Sequence, residues 1–82
     1  MNLELVNWLK DGKYRIEVLK KLKEGPKLSS ELADLLSVNR ASMSRILTLL
    51  KKRKLVNSYS KGSRTVTYIL SNKGEGVINN DI

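Results

Sequence analysis

Residues 31–45 read Glu31-Leu32-Ala33-Asp34-Leu35-Leu36-Ser37-Val38-Asn39-Arg40-Ala41-Ser42-Met43-Ser44-Arg45. Leu32, Leu35 and Leu36 recur at i, i+3 and i+4, the spacing of one helix face, with Ser29 ahead of them as N-cap. Ser37-Val38-Asn39 makes a tight connection. Asn39 then caps a second helix, expected over about residues 40–53. Met43, Leu47 and Leu50 form its apolar stripe, with Ile46 at the edge. Ala33 is small where the two helix axes must approach. Val38 is apolar in the turn, where it fills the gap, and Met43 is apolar where the second helix meets the first.

Upstream, Leu3, Val6, Trp8 and Leu9 recur at helical spacing in a short segment that stops near Asp11-Gly12. Another helix is expected over about residues 13–23, with Val18, Leu19 and Leu22 as its stripe and Tyr14 one turn earlier. Gly25-Pro26 ends it, because proline cannot continue the hydrogen-bond ladder. Downstream of Lys54 the apolar period changes from helical to two. Leu55 to Ser60 and Arg64 to Leu70 are rich in Val, Thr, Tyr and Ile, and Lys61-Gly62-Ser63 between them marks a β-hairpin. Ser71 caps a short last helix over about residues 72–78, and residues 79–82 are expected to fray.

Eighty-two residues make one expected domain, and with no Phe and one Trp its interior must be aliphatic. A chain of this length buries a thin core, so a partner subunit would add to it. Without Cys or His there is no disulfide, no zinc or iron–sulfur site and no common general base. No cofactor is expected, and no enzyme: the eight acids show no paired spacing beyond ordinary helix surfaces. The start lacks the pattern of a signal peptide, and no apolar run approaches the roughly 20 residues needed to span a bilayer. The expected location is the cytoplasm.

The formal charge is +8. Residues 1–38 carry seven basic and six acidic side chains, an ordinary mixed surface. Residues 39–73 carry nine basic side chains and no acid. Such a one-sign field attracts a polyanion; the alternative is a plain solvated Lys/Arg face. Lys51, Lys52, Arg53 and Lys54 also suit the carboxyl end of a helix on dipole grounds alone.

Two short helices joined by a tight turn form a helix-turn-helix, whose second helix enters the major groove of DNA. The order helix, helix, helix, strand, wing, strand resembles the winged helix-turn-helix transcription regulators of archaea and bacteria, in the MarR/ArsR-type flavour. The landmarks are Arg15 to Leu22, Ser30-Glu31-Leu32-Ala33, Ala41 to Leu47, Leu55-Val56, and Tyr68 to Gly74. The resemblance implies an α+β fold, a three-helix core with a two-stranded β-hairpin wing and short terminal helices. It also implies binding to double-stranded DNA. Two positions depart from the pattern. The family usually has Gly in the turn between the paired helices and again just before the wing strand, where Ser37 and Lys54 stand. Both positions often need φ > 0, which costs a non-glycine residue roughly 1 kcal/mol. The metal-sensing branch needs Cys, His or acidic clusters that this chain lacks.

With Met43, Leu47 and Leu50 turned inward, successive steps of about 100° put Ala41, Arg45, Thr48 and Lys52 on the opposite face, flanked by Ser42 and Ser44. Ala41, Ser42, Arg45 and Thr48 are the base-reading candidates. Arg45 can bond guanine O6 and N7 together, and Ala41 can meet a thymine methyl. Ser29, Asn39, Arg40, Ser44 and Lys52 are candidates for the DNA backbone. Lys61, Gly62, Ser63 and Arg64 form the wing tip, placed on the backbone or in the minor groove. Competing readings remain at each position: a solvent-facing Arg45, solubilising serines, Ala41 as a helix former, and an edge Lys61 that blocks aggregation. Tyr59 and Tyr68 read as core or cross-strand partners rather than base-stacking groups. Leu49 falls near the exposed side without explanation. A homodimer is expected through residues 1–12 and the C-terminal segment near Val77-Ile78, with Trp8 either in that interface or capping the monomer core. The functional alternatives are a non-specific architectural nucleic-acid protein and a winged-helix protein-interaction module.

Overall fold

Aliphatic side chains fill the interior: Leu9, Val18, Leu19, Leu32, Met43, Leu47, Leu50, Leu55 and Val56 are fully buried. The computed structural model describes residues 3–60 and 65–81. In chain order the elements are α1 (Leu3–Asp11), α2 (Arg15–Lys23), β1 (Lys27–Leu28), α3 (Ser29–Leu36), α4 (Arg40–Lys52), β2 (Val56–Ser60), β3 (Val66–Leu70) and α5 (Asn72–Gly76). A π-helical turn over Val77–Asp81 follows α5.

The expected stripes of α2 and α4 are buried as read, Val18, Leu19 and Leu22 on one and Met43, Leu47 and Leu50 on the other. Other helix faces differ. In α1 the buried residues are Leu5, Val6 and Leu9, while Leu3 is 65% exposed. Leu5 lies one turn before Leu9, so the core-facing stripe begins there. In α3, Leu32 and Ala33 are buried and Leu36 is half-buried, but Leu35 is 54% exposed. Leu32 and Ala33 together form the buried face, and Leu35, two residues beyond Ala33, falls on the other side of the helix.

The sheet has three strands in the order β1-β3-β2, not the two of a simple hairpin. Lys27 and Leu28 pair antiparallel with Tyr68 and Thr67. Two residues are too few to give a period, so the strand has no sequence signal. Gly25 sets the chain up for it with φ +145°, a conformation that L side chains rarely adopt, immediately before Pro26. On the other side β2 pairs with β3 from Val56↔Leu70 to Ser60↔Val66.

The helix caps follow the sequence with one shift. Asn39 Oδ1 accepts the Ser42 N–H at 2.7 Å, and Ser71 Oγ accepts the Gly74 N–H at 3.0 Å. The N-cap of α3, however, is Leu28; Ser29 is already in the helix. Leu28 has no side-chain acceptor, so the end is closed from within, with Glu31 Oε1 accepting the Leu28 N–H at 2.8 Å. Residues 77–81, where the sequence predicts fraying from residue 79 on, form a π-helical turn, with Val77 buried and Ile78 against the core.

Both glycine-less positions take the left-handed conformation. Ser37 has φ 55° and Lys54 has φ 63°. Each closes a helix in the same way. The Val38 N–H reaches back to the Ala33 carbonyl at 2.9 Å, and the Leu55 N–H to the Leu50 carbonyl at 3.0 Å. The Lys54 carbonyl then accepts the Ser71 hydroxyl at 2.7 Å, and Ser71 N–H donates to the Leu55 carbonyl at 3.0 Å. Gly74 sits against that junction: a Cβ there would collide with the Leu55 carbonyl oxygen and come within 2.8 Å of Leu70 Cδ1.

Two stability changes of opposite sign are expected. Ser37→Gly relieves left-handed strain and should stabilise the fold by about 0.5–1 kcal/mol, raising Tm by about 2–8 °C. Gly74→Ala drives a methyl into backbone and should destabilise by about 1–3 kcal/mol. Thermal and urea denaturation measure both. A Ser37→Gly protein no more stable than its parent would remove strain at that turn from the account.

Candidate nucleic-acid interface

Full burial of Met43, Leu47 and Leu50 fixes the rotation of α4 about its axis. The opposite face carries Ala41, Arg45, Thr48 and Lys52, all exposed. Asn39, Arg40 and Ser44 beside them are exposed too, and Ser42 is half-buried. Arg40, Arg45 and Lys52 have no acid or acceptor bound to them among the described residues. Asn39 has its carbonyl oxygen engaged in the cap, which leaves its amide nitrogen to donate. The Thr48 hydroxyl donates back along the helix to the Ser44 carbonyl at 2.8 Å.

An open notch of about 310 Å³ lies between α4, the start of α3 and the first residues of β3, lined by Leu28, Ser29, Ser30, Ser44, Thr65, Val66 and Tyr68. It brings together Ser29 and Ser44, two of the expected backbone-contact residues. It adds Ser30 and Thr65, which the sequence pattern did not single out: adjacency to Ser29 and to the hairpin turn was the only hint. Five hydroxyl-bearing residues, Tyr68 included, thus border one recess beside the exposed face of α4. Lys61, Gly62, Ser63 and Arg64 lie outside the described residues. Tyr68 is half-buried against the core and paired across the sheet with Ser58. Tyr59 faces Thr67 in the register but is 42% exposed, so it is a cross-strand neighbour and not a core residue. Leu49 is 41% exposed.

Some of the basic residues in the acid-free segment hold the fold together instead. The Arg53 guanidinium lies 4.5 Å from the Trp8 ring centre and donates to Glu4 Oε1 and Oε2 at 3.0 and 2.9 Å. Arg15 covers the same ring at 4.0 Å and donates to the Trp8 carbonyl at 2.6 Å. Stacked guanidinium–indole pairs of this kind contribute about 0.5–1 kcal/mol each when exposed. Lys51 donates to Ser58 Oγ at 2.7 Å, tying α4 to β2, and Lys73 donates to the Arg53 carbonyl at 3.2 Å. Trp8 therefore packs on the core with its ring covered by two cations of its own chain.

No family model and no curated protein matches the sequence. Solved structures do match the fold. AdcR, the adhesin competence repressor of Streptococcus pyogenes, aligns with a TM-score of 0.78 at 14% identity, over 83% of this chain and 52% of its own. A mutant of ZitR from Lactococcus lactis in complex with DNA gives 0.76 at 21% identity, over 84% of this chain and 49% of that one. Reduced HlyU from Vibrio cholerae gives 0.78 at 24% identity, over 90% and 78%.

The fold is a winged helix-turn-helix.

In it α3 and α4 are the paired helices, and β2 and β3 are the wing strands. The chain spans about half the length of the AdcR and ZitR structures. Identities of 14–24% carry the fold and not the side chains, so the roles of residues on α4 rest on their own placement.

The cap that starts α4 can be tested directly. Asn39→Ala leaves the Ser42 N–H without its acceptor and should destabilise by about 1 kcal/mol, whereas Asn39→Asp keeps an acceptor and should change stability little. Urea denaturation of the two variants checks this. Equal losses for Ala and Asp would show that the cap is not what Asn39 contributes.

Proposed function

We propose that this chain is a sequence-specific double-stranded DNA-binding transcription regulator that works without metal or cofactor. The observation that supports this most is the exposed face of α4 from Ala41 to Lys52, free of acid and carried on a winged helix. The ZitR mutant of similar fold is a complex with DNA. In this reading α4 enters the major groove. Arg45 bonds guanine, with Ala41, Ser42 and Thr48 beside it at the base edges. Ser29, Asn39, Arg40, Ser44 and Lys52 hold phosphates, and Lys61, Gly62, Ser63 and Arg64 place the wing on the backbone or in the minor groove. The hydroxyl-lined notch beside Ser44 suits a phosphate of the strand that runs between α4 and the wing.

We place the protein in the cytoplasm; no helix among the described residues is long and apolar enough to cross a membrane. We further propose a homodimer through residues 1–12 and the C-terminal segment, so that two copies of α4 meet two half-sites. The self-covered ring of Trp8 makes exposed Leu3, not Trp8, the apolar anchor on α1.

A non-specific architectural protein is the second reading, favoured by the small side chains that surround Arg45. Titration with salt on a selected site and on an unrelated duplex separates the two. A regulator keeps a large affinity ratio between the sites, and a packaging protein does not. Arg45→Ala should weaken binding to the selected site by about 1–3 kcal/mol and relax its base preference. Equal loss on selected and random DNA would take base reading away from Arg45. Lys61→Ala and Arg64→Ala should weaken both duplexes alike and flatten the dependence of affinity on salt. An unchanged slope would remove the wing from the interface.

A further inference from the structure

The hydrogen bond from Thr48 to the Ser44 carbonyl, 2.8 Å long, determines what the second half of the exposed face can offer. A threonine hydroxyl has one hydrogen, and here the helix backbone holds it. Thr48 therefore presents no donor. It shows its γ-methyl group and an oxygen lone pair. Ala41, at the other end of the same face, shows a methyl group only. Between them Arg45 presents nothing but donors, and no group among the described residues engages them.

Distances along the helix set which bases these groups can meet. Ala41 and Arg45 are four residues apart, about 6 Å of rise, and Arg45 and Thr48 are three apart, about 4.5 Å. Base pairs are stacked about 3.4 Å apart, so the two methyl groups fall about one to two steps on either side of the guanidinium. In the major groove the partner of an all-donor group is guanine, with O6 and N7 as acceptors. Cytosine offers Arg45 only a donor. The partner of a methyl group is the C5-methyl of thymine. At Thr48 the A·T pair matches twice, because adenine N6 can donate to the lone pair beside the methyl contact. A guanine there would set its acceptors against that lone pair, and Thr48 has no hydrogen with which to answer.

We propose that α4 recognises a guanine bracketed by A·T pairs through their thymine methyl groups, with Thr48 as the residue that specifies the flank distal to Ala41. The inference rests on the major-groove reading of α4 and adds the chemical class of the bases beside the guanine.

The test uses the full chain. Duplexes are selected from a random pool, and each thymine of the preferred site is then replaced in turn by deoxyuridine. That change removes one methyl group and leaves every hydrogen-bonding edge intact. Uracil at either flank should weaken binding about fourfold, the equivalent of one buried carbon, and elsewhere should change nothing. Thr48→Ser keeps the hydroxyl but loses the methyl, so it should abolish the uracil effect at its own flank and leave the effect at the Ala41 flank. Thr48→Val keeps a methyl group and should keep both effects. Thr48 is exposed, so the variants should retain the parent's Tm. Selected sites that hold the guanine but tolerate any flank, or a uracil effect that survives Thr48→Ser, overturn the inference while leaving α4 as the reading helix. Failure to select any duplex overturns the DNA-binding reading and this inference with it.

Discussion

Three buried side chains, Met43, Leu47 and Leu50, set the angle at which α4 lies against the rest of the protein. With them inward, the face that carries Ala41, Arg45, Thr48 and Lys52 has no choice but to point out. The surrounding structure holds that angle from both ends. At the start Asn39 caps the helix, and the preceding turn is closed by the left-handed Ser37. At the finish the left-handed Lys54 sends the chain into β2, and its carbonyl is held by Ser71 from the start of α5. Gly74 lets α5 come close enough to hold it. Residues before, within and after α4 thus converge on its orientation.

How much of this could be read from the sequence depends on where the information lay. Local patterns were enough for the α2 and α4 stripes, for the caps at Asn39 and Ser71, and for the backbone demand at Ser37 and Lys54. The last two are the more telling. A family pattern asked for glycine, other residues stood there, and the backbone still adopts positive φ. Helix-closing bonds from Val38 and Leu55, each to a carbonyl five residues earlier, form with the backbone in that conformation, against a local preference of roughly 1 kcal/mol. Non-local arrangements were not legible. The strand β1 exists because β3 is there to pair with it. Leu35 turns outward because Leu32 and Ala33 take the buried face of α3. The group of Glu4, Trp8, Arg15 and Arg53 joins residues up to 49 positions apart, and no spacing rule links them.

The charge pattern changes meaning in the same way. An acid-free segment of nine bases suggests a uniform field. In three dimensions Lys51, Arg53 and Lys73 bind groups of the protein itself, and Arg53 has its acid, Glu4, delivered from α1. Arg40, Arg45 and Lys52 on α4 are left unneutralised by the described residues. Bonds to a hydroxyl and a carbonyl leave the charges of Lys51 and Lys73 in place, so among the described bases of the segment only Arg53 is offset by an acid, and the positive field includes the face that the core turns outward.

The stack at Trp8 gives the molecule an optical property. It is the only tryptophan in the chain, so all indole emission comes from one site between two guanidinium groups. One of those groups belongs to Arg53, the cap residue of α4, twelve positions and about 18 Å of helix rise beyond Ala41. Fluorescence of the unmodified protein thus reports on the far end of the exposed helix and on its junction with α1 and α2. The face carrying Ala41, Arg45 and Thr48 contributes no indole signal of its own, so a spectral change on adding a ligand there would report an altered surrounding of Trp8, at the far end of α4 or on α1 and α2.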